Sequence, residues 1–113
     1  MDRIEWIEIE GKNYPLCCSL GAMEKITEIN AKNGPDGAIR TNIETLAALM
    51  DFGVKRARRL DGSKVPDALS PEEIEECIFY GDYERICKAI SEAIRKGQEH
   101  EIEGKPKGKK AGA

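Results

Sequence analysis

The chain has 113 residues and a net charge of −3; 35% of its residues are charged and only 5% are aromatic. That length favours one domain, burying roughly 65% of its unfolded surface around an aliphatic core that needs neither disulfides nor metal. The negative balance argues against a dedicated nucleic-acid binder, and no apolar run approaches the ~20 residues that span a membrane.

The first residues, Met1-Asp2-Arg3-Ile4-Glu5-Trp6, place acids where a signal peptide needs an apolar stretch. The chain is therefore expected to stay in the cytoplasm that made it, with Cys17, Cys18, Cys77 and Cys87 as reduced thiols. Residues 4–18 read as a β-hairpin. Ile7 and Ile9 alternate with Glu8 and Glu10, and Tyr14, Leu16 and Cys18 alternate on the return, around a turn at Glu10-Gly11-Lys12-Asn13. Pro15 has no N–H for a ladder, so its strand belongs at an edge or turns that residue away from its partner.

A first helix is expected from Ser19, as N-cap, to about Lys32. Leu20, Met23, Ile26 and Ile29 form its apolar stripe, Asn30 interrupts it, and Glu28–Lys32 is an i,i+4 pair. Asn33-Gly34-Pro35 stops it. A second helix opens on the capping-box pattern Thr41-Asn42-Ile43-Glu44 and fades near Leu60, before Gly62. Ile43, Leu46, Ala47, Met50, Val54 and Ala57 are its core face, and Gly53 suggests a close helix crossing. After a loop over 61–69, Ser70-Pro71-Glu72-Glu73 opens a third helix, with Ile74, Cys77 and Ile78 inward. Gly81 ends it, and Asp82 caps a fourth helix carrying Ile86, Ala89, Ile90, Ala93 and Ile94, with Glu84–Lys88 and Glu92–Lys96 as i,i+4 pairs. The fold class is thus α+β: an N-terminal β-hairpin followed by about four α-helices, as one domain over 1–102. Residues 103–113, with four lysines against one glutamate, read as a disordered basic tail.

Chemistry is sparse. The four cysteines lack metal-ligand spacing, and adjacent Cys17 and Cys18 on a strand point to opposite faces. The one histidine, His100, stands late in the chain, and no base accompanies a Ser or Cys nucleophile. Gly34-Pro35-Asp36-Gly37 lacks the context of a phosphate loop. The chain is therefore read as having no catalytic residues, no metal and no cofactor. Lys55, Arg56, Arg58 and Arg59 end the second helix, where cations are favoured by the helix dipole; nucleic-acid contact is the weaker reading, since no aromatics interleave with them. Residues 67–84 hold seven acids and no Lys or Arg, and the two blocks are able to attract one another. Trp6, Phe52, Phe79 and Tyr80 fit no apolar stripe; they are either core residues beneath a hairpin covered on both faces or the candidate partner-binding residues, aromatics being enriched at interfaces.

Several segments together resemble a known family. A strand pair over Ile7–Leu16 leads into Ser-Leu-Gly-Ala-Met (Ser19–Met23); then come Leu-Ala-Ala-Leu-Met (Leu46–Met50), Leu-Ser-Pro-Glu-Glu-Ile-Glu (Leu69–Glu75) and a last helix rich in Ile and Ala. This pattern, over about residues 4–96, resembles the short tail assembly chaperones of long-tailed bacteriophages and prophages. The resemblance implies binding to the long, apolar, helical tape-measure protein, kept soluble while tail-tube subunits assemble around it. Tail-tube protein is then a second contact, and the host bacterial cytoplasm the setting. Self-association is expected as well, through an edge strand beside Pro15; nucleic acid and membrane are not. Family members often exist in two lengths through a ribosomal frameshift, and the basic tail would be the junction to the longer form. The family has no universal binding residues to carry over. The competing expectations are another phage structural part, such as a head–tail joining protein, and a small nucleic-acid-binding regulator using Lys55 to Arg59.

Overall fold

A strand that alternates isoleucine with glutamate has one face to hide. In the protein, seen here as a computed structural model describing residues 3–62 and 64–99, β1 (Glu5–Ile9) pairs antiparallel with β2 (Lys12–Leu16). Ile7 lies opposite Tyr14 and Glu5 opposite Leu16, and Ile7, Ile9, Tyr14 and Leu16 are all buried. Ile9 faces Lys12, so the turn is only Glu10-Gly11. Both residues take positive φ, 52° and 80°, as in a type I′ hairpin turn. Glycine adopts this freely, whereas a glutamate there is strained. Glu10→Asn is expected to add about 1 kcal/mol of stability in urea unfolding, despite losing the 3.4 Å contact from Cys77 Sγ. A loss of stability would mean that this contact outweighs the strain.

Four helices follow: α1 (Leu20–Asn33), α2 (Ala38–Asp61), α3 (Pro71–Cys77) and, after a 3-10 turn at Tyr80–Asp82, α4 (Tyr83–Gln98). The α+β class and the order of elements are those expected from the sequence. The end of the domain at 102, the tail over 103–113 and His100 lie outside the described residues.

The spine is α2, which packs against α1, β2, α3 and α4. Its buried face is Ile43, Leu46, Ala47, Leu49, Met50, Val54 and Ala57, a 3.6-residue repeat. From α4 come Ile86, Ala89, Ile90 and Ala93, and from α3 Ile74. The start of α3 is as its sequence demands. Ser70 Oγ accepts from Glu73 N–H at 3.1 Å, Glu73 Oε1 accepts from Ser70 N–H at 2.9 Å, and Pro71 occupies the first turn. Gly62 ends α2 in the left-handed region at φ 66°.

Two glycines set how the hairpin seats. A Cβ on Gly53 would lie 2.1 Å from the Pro15 carbonyl oxygen and 2.7 Å from Leu16 N; one on Gly97 would lie 2.4 Å from the Cys18 carbonyl oxygen. The close approach at Gly53 is therefore to strand β2, not to the crossing helix expected. With no side chain between them, Cys17 N–H reaches the Leu49 carbonyl of α2 at 3.0 Å. The stretch from Pro15 to Cys18 is buried throughout, held between the middle of α2 and the end of α4.

With this seating the helices engage particular groups on each margin of the sheet. Because Pro15 has no N–H, its pair with Trp6 is a non-hydrogen-bonded one, and the backbone groups of Ile4, Trp6 and Glu8 turn outward on β1. The Ile4 carbonyl accepts from Lys96 Nζ at 3.0 Å and the Glu8 carbonyl from Arg85 Nη1 at 2.7 Å, both from α4. On β2 the outward margin meets α2. The stretch beside Pro15 is thus engaged with α2 at Cys17 and Gly53, while Trp6 and Asn13 stay exposed.

Other departures have local causes. On α1 the buried residues are Ala22 and Ile26, whereas Leu20 is 87% and Met23 40% exposed. The inward stripe is one phase round from the one read through the larger side chains, because Gly21 sits against the Phe52 ring. The helix α2 begins one turn before the expected Thr41 cap. Gly37 is its N-cap, with Thr41 N–H donating to the Gly37 carbonyl at 2.8 Å, while Asn42 crosses to Tyr83 Oη on α4 at 2.6 Å. Two expected i,i+4 pairs are replaced: Lys32 meets distant Glu44 rather than Glu28, and Lys96 meets distant Glu5 while Glu92 meets Arg95 three residues on, all at 3.0 Å.

Candidate partner-binding surface

A binding surface of this chemistry consists of large apolar groups left in water. Trp6, Leu20, Met23, Ile39, Leu60, Phe79 and Tyr80 are such groups. The alternation of β1 puts Trp6 on the face away from Ile7 and Ile9. It is 45% exposed there, in a groove with Lys12, Val65 and Pro66. Phe79 and Tyr80 stand at the corner between α3 and α4, 72% and 88% exposed. Nothing in the helices explains this position: α3 stops at Cys77, and the 3-10 turn carries both rings outward.

Phe52 is different. It is half-buried against the core, its ring touching Gly21 and lying under Lys55 Nζ, 5.2 Å from the centroid. Its surroundings are those of a residue that joins α1 to α2. The groove it lines lies between those helices, with Ile29 and Ala48, and is not the groove of Trp6. Of the four aromatics singled out from the sequence, only Phe79 and Tyr80 stand side by side.

Sequence reasoning missed a further feature, because it assigned Leu20 and Met23 to the core. Where β2 runs into α1, those two side chains border a cavity of about 490 Å³, with Arg3, Arg56, Cys17 and Ile94 among its walls. Arg3 donates to the carbonyls of Gly97 (3.4 Å) and Glu99 (2.6 Å). The Nε of Arg56 is buried without a hydrogen-bond partner. Burial pushes the Cys17 thiol up, against the opposing pull of Arg56, Arg3 and Arg59; burial also pushes up Cys18. Both thiols stay protonated near neutral pH, which does not suit a nucleophile.

The charged blocks are largely engaged within the chain. Arg58 donates to Asp67 Oδ1 (2.8 Å) and to the Val65 carbonyl (3.0 Å), pinning the loop after α2. From the acidic block, Glu72 and Glu75 meet Arg40 at the start of α2, at 3.3 and 2.9 Å, not the basic block at its end. Arg40 also meets Glu44, which accepts from Asn33 (3.1 Å) and pairs with Lys32. The Asn33 hydrogen bond, with Lys32 and Arg40, holds the Glu44 carboxyl below its ordinary value. A carboxylate so lowered stabilises the fold above its unfolded pKa, and that contribution disappears as pH falls through the lower folded value. Stability is therefore expected to fall on acidification below about pH 4.5, the ordinary carboxylate value. Asn33→Ala should make this loss smaller and complete nearer the ordinary value. Denaturant midpoints between pH 3 and 7 test this; identical profiles for the two proteins would contradict it.

Among the described residues no group of three or more His, Cys, Asp or Glu is placed to hold a metal ion, and no helix is long and apolar enough to cross a membrane. Comparison with protein-family models, with curated proteins and with solved structures finds no match.

Proposed function

We propose that this chain binds an apolar helical stretch of a second polypeptide and shields it from water, as the tail assembly chaperones it resembles do for the tape-measure protein. The observation that carries the reading is the exposure of Phe79 and Tyr80, together with Trp6, Leu20 and Met23, on a domain whose core is otherwise filled. Exposed aromatic and aliphatic groups on a small rigid domain are the means by which a helix is taken into a groove. Helix groups engage parts of both sheet margins, so recruitment is assigned to the exposed side chains, and association between copies would use the same apolar patches or the exposed part of the strand edge. Tail-tube subunits would displace the chain as they assemble on the tape-measure protein.

The nucleic-acid reading has less support. Within Lys55–Arg59, Arg58 is engaged with Asp67 and Lys55 lies over Phe52, so the block does not present a free row of cations. The direct test is co-expression with a tape-measure protein, which is expected to move from the insoluble to the soluble fraction and to co-purify with the chain. A tape-measure protein that stays insoluble at equal expression would sink the proposal.

A further inference from the structure

The segment leading from the loop after α2 to the Phe79–Tyr80 corner is held more lightly than the rest of the domain. Of residues 65–78 only Ile74 is buried; Val65, Ala68, Leu69, Cys77 and Ile78 rest partly covered against the core. Its one helix, α3, has seven residues, too few to persist alone in water, and packs chiefly on α2. Among the described residues no backbone-to-backbone hydrogen bond runs from 65–78 to another element. Those at the ends of α3, from Ile74 N–H to the Ser70 carbonyl and from Ile78 N–H to the Ile74 carbonyl, stay within the segment. The outward polar ties all involve side chains. Arg58 holds Asp67 and the Val65 carbonyl, Arg40 holds Glu72 and Glu75, Cys77 Sγ meets Glu10, and Leu69 N–H points to Met50 Sδ at 3.2 Å. The ion pairs lie on exposed side chains, where such pairs contribute little. The stretch 14–18, by contrast, is buried throughout and bonded to α2 through its own backbone.

We infer that residues 65–78 form a strap that leaves α2 as one unit while the hairpin, α1, α2 and α4 stay folded. A region opens separately where few buried apolar contacts and no backbone hydrogen bonds tie it to its neighbours. Here Ile74 is the single deep anchor, and the remaining ties are half-covered side chains and ion pairs open to water. Opening uncovers the part of α2 around Met50, to which Leu69 now points. It also loosens the corner at Phe79 and Tyr80, which follow directly on Ile78, and gives the two exposed rings a wider reach. The inference concerns how the free chain moves and does not depend on the shielding function.

The test is amide hydrogen exchange, followed by NMR on the full chain at urea concentrations below the unfolding transition. The strap is read at Ile74, Cys77 and Ile78, and the body at Leu49, Met50 and Val54 of α2. The strap amides are expected to be at least about tenfold less protected than those of α2. They should share one urea slope, above zero but smaller than that of α2, since opening exposes only part of the surface that unfolding does. Two conservative variants separate the units. Ile74→Val weakens the anchor and should speed exchange in the strap and in α2 alike, by roughly 2- to 12-fold. Ile90→Val lies on α4, which is not the element α3 chiefly packs on. It should speed exchange in α2 by a similar factor and leave the strap amides unchanged, because the contacts of Ile90 survive strap opening. Strap amides as protected as those of α2 would mean that the segment opens only with the whole domain. Exchange there without urea dependence would mean fraying alone. Either result, or strap amides sped by Ile90→Val, overturns the inference.

Discussion

Gly53→Ala is expected to lower stability by about 1–3 kcal/mol, although alanine is the better helix former by about 1 kcal/mol. The reason lies outside the helix. The new methyl would stand 2.1 Å from the Pro15 carbonyl oxygen and 2.4 Å from its carbon, and these are backbone atoms that no rotamer change can move. Strand β2 must withdraw. It then loses the hydrogen bond from Cys17 to Leu49, about 1 kcal/mol, and loosens the burial of Pro15 and Leu16, which are among the most enclosed side chains in the domain. Overpacking of this kind typically costs about 1–3 kcal/mol. The melting temperature should fall by roughly 5–15 °C. Gly81→Ala is the control: a Cβ there meets nothing within 4 Å, so the change should stay within about 0.5 kcal/mol. If Gly53→Ala were neutral or stabilising, the docking of β2 on α2 described above would be wrong.

The second large effect should fall on binding and spare the fold. Phe79 and Tyr80 are 72% and 88% exposed, so replacing both by serine removes little packing and should change stability by no more than about 0.5 kcal/mol. Aromatic hot spots contribute about 2 kcal/mol or more each when truncated. The double variant should therefore bind an apolar helical fragment of a tape-measure protein at least 30-fold more weakly. Isothermal titration on the two proteins measures this. Undiminished affinity in a folded double variant would move the binding surface elsewhere, to Trp6 or to the rim formed by Leu20 and Met23.

The same residues show how far the sequence could be read. The α3 cap is legible because Ser70, Pro71 and Glu73 act within one turn, where local chemistry decides the outcome. The core face of α2 is legible because its repeat persists from Ile43 to Ala57, about four turns. What failed depends on contacts distant in sequence. On α1, leucine and methionine were assigned inward by size, but Gly21 against Phe52 and Ala22 at the contact bring the helix too close for larger side chains there. Lys96 was read as the i,i+4 partner of Glu92, whereas it and Arg85 hold backbone carbonyls of the hairpin some ninety and seventy-seven residues away in sequence. Of the candidate site, Trp6, Phe79 and Tyr80 stood out because they broke the periodicity. Phe52 broke it too, yet it is half-buried, its ring occupied by Gly21 and Lys55. The cavity beside Arg56 gave no sequence signal, since its walls come from both ends of the chain and from the middle of it.

Light scattering from a tape-measure fragment, diluted from denaturant into increasing amounts of this protein, gives the most direct reading of whether its bare aromatic and aliphatic groups serve a second polypeptide. Scattering should drop to the buffer level near a fixed molar ratio, and the serine double variant at positions 79 and 80 should need far more protein to do the same. Aggregation that proceeds at the same rate with and without the protein would contradict the account.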